Sequence, residues 1–255
     1  AACSSQPPQE AQIENSQHEP IYLQISGQQT AEKNKLAIIQ HGLASDMTHP
    51  AVQAAKQAFI DNGYLVITFD SRYSLGKSGG GVANVRLSTF VDDLQTVIDW
   101  AKKQNFYHEP LALAGHSLGG ASVLQYAAEH PAQVGILVPI TPVVSGQKWE
   151  DACMTYMPDF CRKWKKDGIY RYQNEDISYQ TVEKAKSFDA LKLAPKIAAD
   201  VLLISAQNDT IIIPKDINEL YAALPESDKK RLAKIPNSGH NFEDARNQQD
   251  LTEAV

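Results

Sequence analysis

The chain has 255 residues, 43% of them hydrophobic, and a net charge of −6. That length and apolar content suit one large α/β domain with a sizeable core better than two small ones. The acidic balance argues against nucleic acid as a partner, which needs a basic surface, and no apolar run reaches the roughly 18–20 residues that span a bilayer.

The chain opens Ala1-Ala2-Cys3-Ser4-Ser5. Small residues before a cysteine resemble the end of a bacterial lipoprotein signal, where the cysteine becomes lipidated. Ser4 to Gln17 is polar, proline-bearing and unpatterned. Residues 1–19 are therefore expected to form a flexible tether, with a lipid anchor at Cys3. An ordinary chain boundary is the other reading. Cys153 and Cys161 are the remaining cysteines, close together in one segment. One lipidated cysteine plus a Cys153–Cys161 disulfide would account for all three thiols in an oxidising compartment; two free core cysteines are the alternative. The expected location is extracytoplasmic, with the cytoplasm as alternative. Cys and His show no metal-ligand spacing, and nothing points to a cofactor.

Ile21 to Ile25 reads as a first strand and Leu36 to Gln40 as a second, fully apolar one that runs into His41-Gly42-Leu43. Pro50 to Asn62 has helical spacing, with Pro50 in the first turn and Gly63 as the stop. Tyr64 to Phe69 is another buried strand, ending at Asp70. The loop from Ser71 to Ala83 is glycine-rich. Leu87 to Lys103 is an amphipathic helix, with Ser88 or Thr89 as N-cap. Pro110 to Ala114 is apolar without alternation, as in a strand buried on both faces. Ala121 to His130 suits a packed helix and Gly135 to Ile140 a strand. Val201 to Ala206 is a strand, Ile217 to Leu224 a helix, Arg231 to Ile235 the last strand, and Glu243 onward a final helix that looks short enough for the natural chain to continue past Val255. Alternating strands and helices imply parallel βαβ units with helices on both faces.

Residues 141–196 break the alternation, and large side chains gather there: Trp149, Tyr156, Met157, Phe160, Trp164, Tyr170 and Tyr172. This stretch reads as a cap inserted over the carboxyl edge of the sheet, where open α/β sheets bind ligands. Most of these aromatics should form the cap's own small core, while Trp149, Tyr156 and Trp164 are candidates to line a pocket. Arg162-Lys163-Trp164-Lys165-Lys166 reads as a solvated face.

Gly115-His116-Ser117-Leu118-Gly119-Gly120 sits between a strand and a helix. It has the Gly-x-Ser-x-Gly form of a nucleophile elbow, which lifts a serine hydroxyl out of a sheet. A serine needs a base within hydrogen-bond reach and a third group to orient that base. In this architecture the order is serine, acid, histidine. Asp209 follows the strand ending at Ala206, and His240 follows the strand ending at Ile235. Asp200 precedes its strand, Asp216 sits where it would cap a helix, and His240 is the only histidine after His130. The expected catalytic residues are Ser117, Asp209 and His240. The oxyanion donors are expected to be the backbone N–H groups of Leu118 and Leu43. His41 and His116 read as loop-orienting, and a link from Arg72 to a carboxylate such as Asp92 or Asp93 as structural. Position 117 is not a carboxylate, which excludes haloalkane dehalogenase chemistry.

Taken together, His41-Gly42, Gly115 to Gly120, Asn208-Asp209 and Gly239-His240 resemble the α/β-hydrolase superfamily over nearly all of Ile21 to Val255. Within it the chain looks most like the serine-aminopeptidase-like and cinnamoyl or feruloyl esterase group. The group's Asp-x-Arg-Gly-x-Gly-x-Ser stretch is altered here, with Tyr73 replacing the first glycine and one extra residue before Ser78. The resemblance implies an α/β-hydrolase fold, a single domain over 20–255 with the cap at 141–196, and a serine hydrolase that needs no metal or cofactor. The expected substrate is a small-molecule ester with a bulky or aromatic acyl group. The alternatives are a peptidase releasing an N-terminal residue and a non-catalytic binding lipoprotein on a hydrolase scaffold.

Overall fold

A computed structural model describes residues 8–28, 35–227 and 229–255. Cys3 and the first part of the expected tether lie outside these residues. The rest of that stretch departs from the tether expectation. Gln9–Glu14 is a strand, β1, paired antiparallel with β2 (Pro20–Ser26). Its residues alternate between solvent and sheet, and only Ile13 is buried. Two apolar side chains, Ala11 and Ile13, are too few for a visible period, so backbone pairing rather than side-chain burial defines this strand.

Six more strands complete an eight-stranded sheet: β3 (Lys35–Gln40), β4 (Tyr64–Phe69), β5 (Leu111–His116), β6 (Val134–Ile140), β9 (Asp200–Ala206) and β10 (Lys230–Ile235), after the two-stranded ribbon of β7 (Ile169–Tyr172) and β8 (Glu175–Ser178). Spatial order is β1-β2-β4-β3-β5-β6-β9-β10. Pairing is parallel from β4 through β10, and antiparallel between β1, β2 and β4. The central strands read as continuous apolar runs because both faces are covered. On β3, Leu36 and Ile38 belong to one core and Ala37 and Ile39 to the other.

Helix α1 (Pro50–Asp61) packs with α9 (Ala245–Ala254) on one face, while α2 (Leu87–Ala101) and α3 (Leu118–Glu129) cover the other. His49, not foreseen as a cap, caps α1 by accepting the Ala51 N–H on Nδ1. The N-cap of α2 is Arg86, and Thr89 sits three residues in, accepting the Arg86 N–H on its hydroxyl. Asp216 does not cap α8 (Pro214–Ala223), whose N-cap is Ile213; its carboxylate instead meets Lys148 at 3.1 Å. Arg72 donates to buried Asp93 (2.6 Å) and to Glu19, tying the loop after β4 to α2 and to the N-terminal hairpin.

Between β6 and β9 the chain forms α4 (Gly146–Tyr156), α5 (Pro158–Asp167), the β7–β8 ribbon, α6 (Gln180–Ala185) and α7 (Ala190–Leu193). A disulfide joins Cys153 of α4 to Cys161 of α5, with Cα atoms 5.8 Å apart.

Candidate active site

β5 delivers Ser117 at the carboxyl edge of the sheet. The residue is the N-cap of α3, with φ 55° and ψ −115°. A non-glycine residue there carries a strain of about 1–3 kcal/mol. Glycines permit the turn: a Cβ on Gly115 would overlap the Gly119 carbonyl, and one on Gly119 would overlap the carbonyls of Gln40 and His41. The Ser117 N–H is held by Ile140 at 2.9 Å, and its carbonyl accepts from Ala121 and Val143, each at 3.1 Å.

Loops after β9 and β10 bring two groups to this serine. His240 Nε2 lies 2.9 Å from Ser117 Oγ, and His240 Nδ1 lies 2.6 Å from Asp209 Oδ2. The Asp209 side chain is fully buried and that of His240 is 9% exposed. Asp209 Oδ1 also accepts the N–H groups of Ile211 (2.8 Å) and Ile212 (2.9 Å). Acceptor-only carboxylate oxygens on one side and a hydroxyl on the other define the tautomer: Nδ1–H donates to Asp209, and Nε2 is free to accept from Ser117.

Leu118 follows the serine directly, and Leu43 lines the same cavity. Leu118 is the first residue of α3, so its N–H has no carbonyl one turn earlier to reach, and the helix dipole makes that end positive. Opposite it, fully buried His41 accepts the Ser71 N–H on Nε2 (2.9 Å) and donates from Nδ1 to the Gly42 carbonyl (2.7 Å). A trans peptide carries C=O and N–H on opposite sides. Holding the Gly42 carbonyl therefore turns the Leu43 N–H away from His41. Gly42 itself abuts the serine, since a Cβ there would stand 3.0 Å from Ser117 Cβ. Burial lowers the His41 pKa, which keeps the ring in this neutral tautomer.

Further imidazoles gather around His240. His116 lies 4.5 Å from His49 in near-parallel stacking and 4.8 Å from His240. Its Nε2–H donates to the His240 carbonyl at 2.9 Å. Burial, then the like charges of His49 and His240, push its pKa well below the ordinary histidine value; burial, then the like charges of His240 and His41, bring His49 to about 4. Both rings are therefore neutral near pH 7. Above the serine, a cavity of about 340 Å³ is bounded below by Gly42, Leu43 and Ser117. Trp149, Cys153, Phe160 and Trp164 close it on the α4–α5 side, and Tyr170 and Tyr172 on the β7 side.

The family model Hydrolase_4 (Serine aminopeptidase, S33) matches residues 31–181. The chain belongs to this serine aminopeptidase family. Membership makes it a hydrolase, and the fold agrees. Est1E of Butyrivibrio proteoclasticus, in a complex with ferulic acid, is similar with a TM-score of 0.77 over 95% of this chain and 96% of its own, at 18% identity. That likeness is one of fold. Among sequence relatives, a putative carbamate hydrolase RutD of Klebsiella pneumoniae is 24% identical, covering 73% of this chain and 78% of its own. A monoacylglycerol lipase of Mycolicibacterium smegmatis is 32% identical over 43% of this chain and 38% of its own. The serine aminopeptidase match ends before Asp209 and His240, so those two residues rest on the geometry above.

In this serine aminopeptidase relative the fold assembles Ser117, Asp209 and His240, and sets Leu43 and Leu118 beside the serine. Trp149 and Trp164 line the cavity. Tyr156 does not: it is the last residue of α4 and 52% exposed, past the rim, and Met157 lines the cavity in its place. Sequence reasoning missed His49 as a neighbour of the base. Its position directly before a helix-opening proline was the available signal. It also left Phe160, Tyr170 and Tyr172 unassigned as lining residues, although Tyr170 and Tyr172 share one face of a strand by their spacing of two.

Proposed function

We propose that this hydrolase is a carboxylesterase acting through an acyl-enzyme formed on Ser117. The observation that supports it most is the position of His240, within hydrogen-bond reach of both Ser117 Oγ and the buried Asp209 carboxylate. In this reading Ser117 attacks the ester carbonyl while His240 Nε2 takes its proton. The C–O bond to the alcohol then breaks, and His240 returns that proton to the leaving oxygen. Water, deprotonated by the same nitrogen, attacks the acyl carbonyl; the bond from that carbon to Ser117 Oγ breaks, the acid is released, and His240 returns the proton to Ser117. Asp209 orients the ring and stabilises the imidazolium. The N–H groups of Leu43 and Leu118 receive the oxyanion.

An ester with a bulky, apolar or aromatic acyl group suits the cavity walls, which are aromatic on two sides. A peptide amino terminus suits them less. Among the described residues the one carboxylate lining the cavity is Glu243, and it is exposed, so none of them places a buried anion at the cavity wall to hold an ammonium group.

A fluorophosphonate probe should label Ser117 in the native protein, and His240→Ala should slow labelling at least a hundredfold (a base contributes about 10²–10⁴). 4-Nitrophenyl esters should be hydrolysed far faster than aminoacyl arylamides. Absence of labelling, or labelling indifferent to His240→Ala, would remove the serine mechanism; faster arylamide cleavage would favour the peptidase.

A further inference from the structure

Helix α5 carries Phe160 and Trp164 to the cavity, yet little holds the helix in place. Only Cys161 and Trp164 of its ten residues are buried. Trp164 donates its indole N–H to the Ile177 carbonyl at 2.9 Å, and Lys165 reaches Glu150 of α4 at 2.5 Å. The link back to α4 is the single residue Met157, which caps both helices with an extended, non-helical φ of −136°. Besides the ring contacts of Phe160 and Trp164 with Tyr170 and of Trp164 with Tyr179, one covalent bond, one indole hydrogen bond and one ion pair position the helix. The covalent bond is itself part of the site, since Cys153 lines the cavity four residues after Trp149. By contrast Ser117, Asp209, His240 and the Leu43 and Leu118 N–H groups all stand on the main sheet's loops and on α3, outside the bridged hairpin.

We propose that the Cys153–Cys161 disulfide is a specificity determinant of this site: it clamps α5 onto α4 so that Phe160 and Trp164 form a standing wall against which a bulky acyl group packs. A small acyl group reaches Ser117 without using that wall. The bridge therefore acts on the binding of large acyl groups and leaves the chemical step alone. Of the contacts that position this polar helix, the bridge is the covalent one that ties it directly to α4, and it holds the two rings at a constant distance from Ser117. The inference rests on the esterase reading for its substrates, and on the structure alone for the clamp.

The experiment compares 4-nitrophenyl acetate with the 4-nitrophenyl ester of 3-phenylpropanoic acid, which share a leaving group. It uses the native protein, the Cys161→Ala variant, which opens the bridge at a residue that does not line the cavity, and native protein treated with dithiothreitol, whose oxidation to the cyclic disulfide supplies two electrons and two protons to the bridge and leaves two thiols. Unbridging should raise KM for the bulky ester about tenfold, the usual size of losing an apolar contact surface. The kcat values of both esters and KM for the acetate should stay within about twofold. Hydrogen exchange should quicken over residues 158–167 and not around Ser117. An unchanged KM ratio would overturn the proposal, as would equal losses on both esters, which would make the bridge a support of the whole fold. If Ser117 takes no fluorophosphonate, the esterase reading fails separately; the clamp then stands or falls on whether exchange over 158–167 changes.

Discussion

His116 shows how much of the site depends on a residue with no expected part in the chemistry. Its Nε2–H holds the carbonyl of His240, and its ring is sandwiched between His49 and His240. Its Nδ1 is buried with no partner among the described residues. The residue that separates glycine from serine in the elbow thus fastens the loop that carries the base. Replacing His116 with Phe keeps a flat ring for stacking and deletes the donor, leaving a carbonyl unpaired at a cost of about 1–3 kcal/mol. The His240 loop should loosen, and kcat should fall about ten- to a hundredfold with KM nearly constant. Steady-state kinetics on a small activated ester would show this; an unchanged kcat would mean that the Asn208 N–H on the Ser238 carbonyl (2.8 Å) and the Asp209 carboxylate on His240 hold the loop without help. Ser117, Asp209 and His240 were legible in the sequence because each follows a recognisable strand in a prescribed order. The contact of His116 with His240 was not, because it joins residues 124 positions apart through a backbone carbonyl, which leaves no trace in residue type.

At the scale of elements, legibility follows burial. Strands β3, β4, β5 and β9 are apolar on both faces and could be read directly. β1 pairs through its backbone at the sheet's edge and could not. The insert was recognisable as an interruption, but its interior was not, because α5 buries two side chains and the β7–β8 ribbon is placed by contacts with distant elements. Where helix meets strand, the sequence was again informative. Gly119 lies where α3 crosses the end of β3, and its missing side chain is a structural requirement: a Cβ would enter the carbonyls of Gln40 and His41, which are backbone and cannot rotate aside. Gly119→Ala should push α3 outward, cost about 1–3 kcal/mol of stability, and carry the Leu118 N–H away from the serine. Urea unfolding should show a lower midpoint at unchanged slope. Fluorophosphonate labelling should slow even where the variant is fully folded. A midpoint equal to that of the native protein would mean that the helix can pivot without strain.

The whole molecule should feel its histidines through pH. His41, His49 and His116 all have pKa values below the ordinary histidine value of 6.5, mainly because burial penalises the charged ring. Each is free to take a proton at its ordinary pKa once the chain unfolds. Below pH 6.5 the unfolded state therefore binds more protons than the folded one, so stability falls as pH falls. The effect is absent above pH 6.5. For His49 it saturates near pH 4, where the folded protein also takes the proton. Asp93 works in the opposite sense. Burial pushes its carboxyl up to about 6 against the pull of Arg72, so between pH 6 and its unfolded value the folded state holds the extra proton and gains stability. Three rings oppose one carboxyl, so the balance near pH 5 is a net uptake of protons on unfolding. Unfolding free energies from urea titrations should be level from pH 8 to 7 and decline steeply from pH 6 to 5. His49→Gln, which keeps a polar group at the cap of α1, should flatten that decline by about one proton. A stability that is constant between pH 7 and 5 would mean that the three rings are not held neutral in the folded protein. It would also undo the inference that a neutral His41 orients the Gly42–Leu43 peptide at the active site.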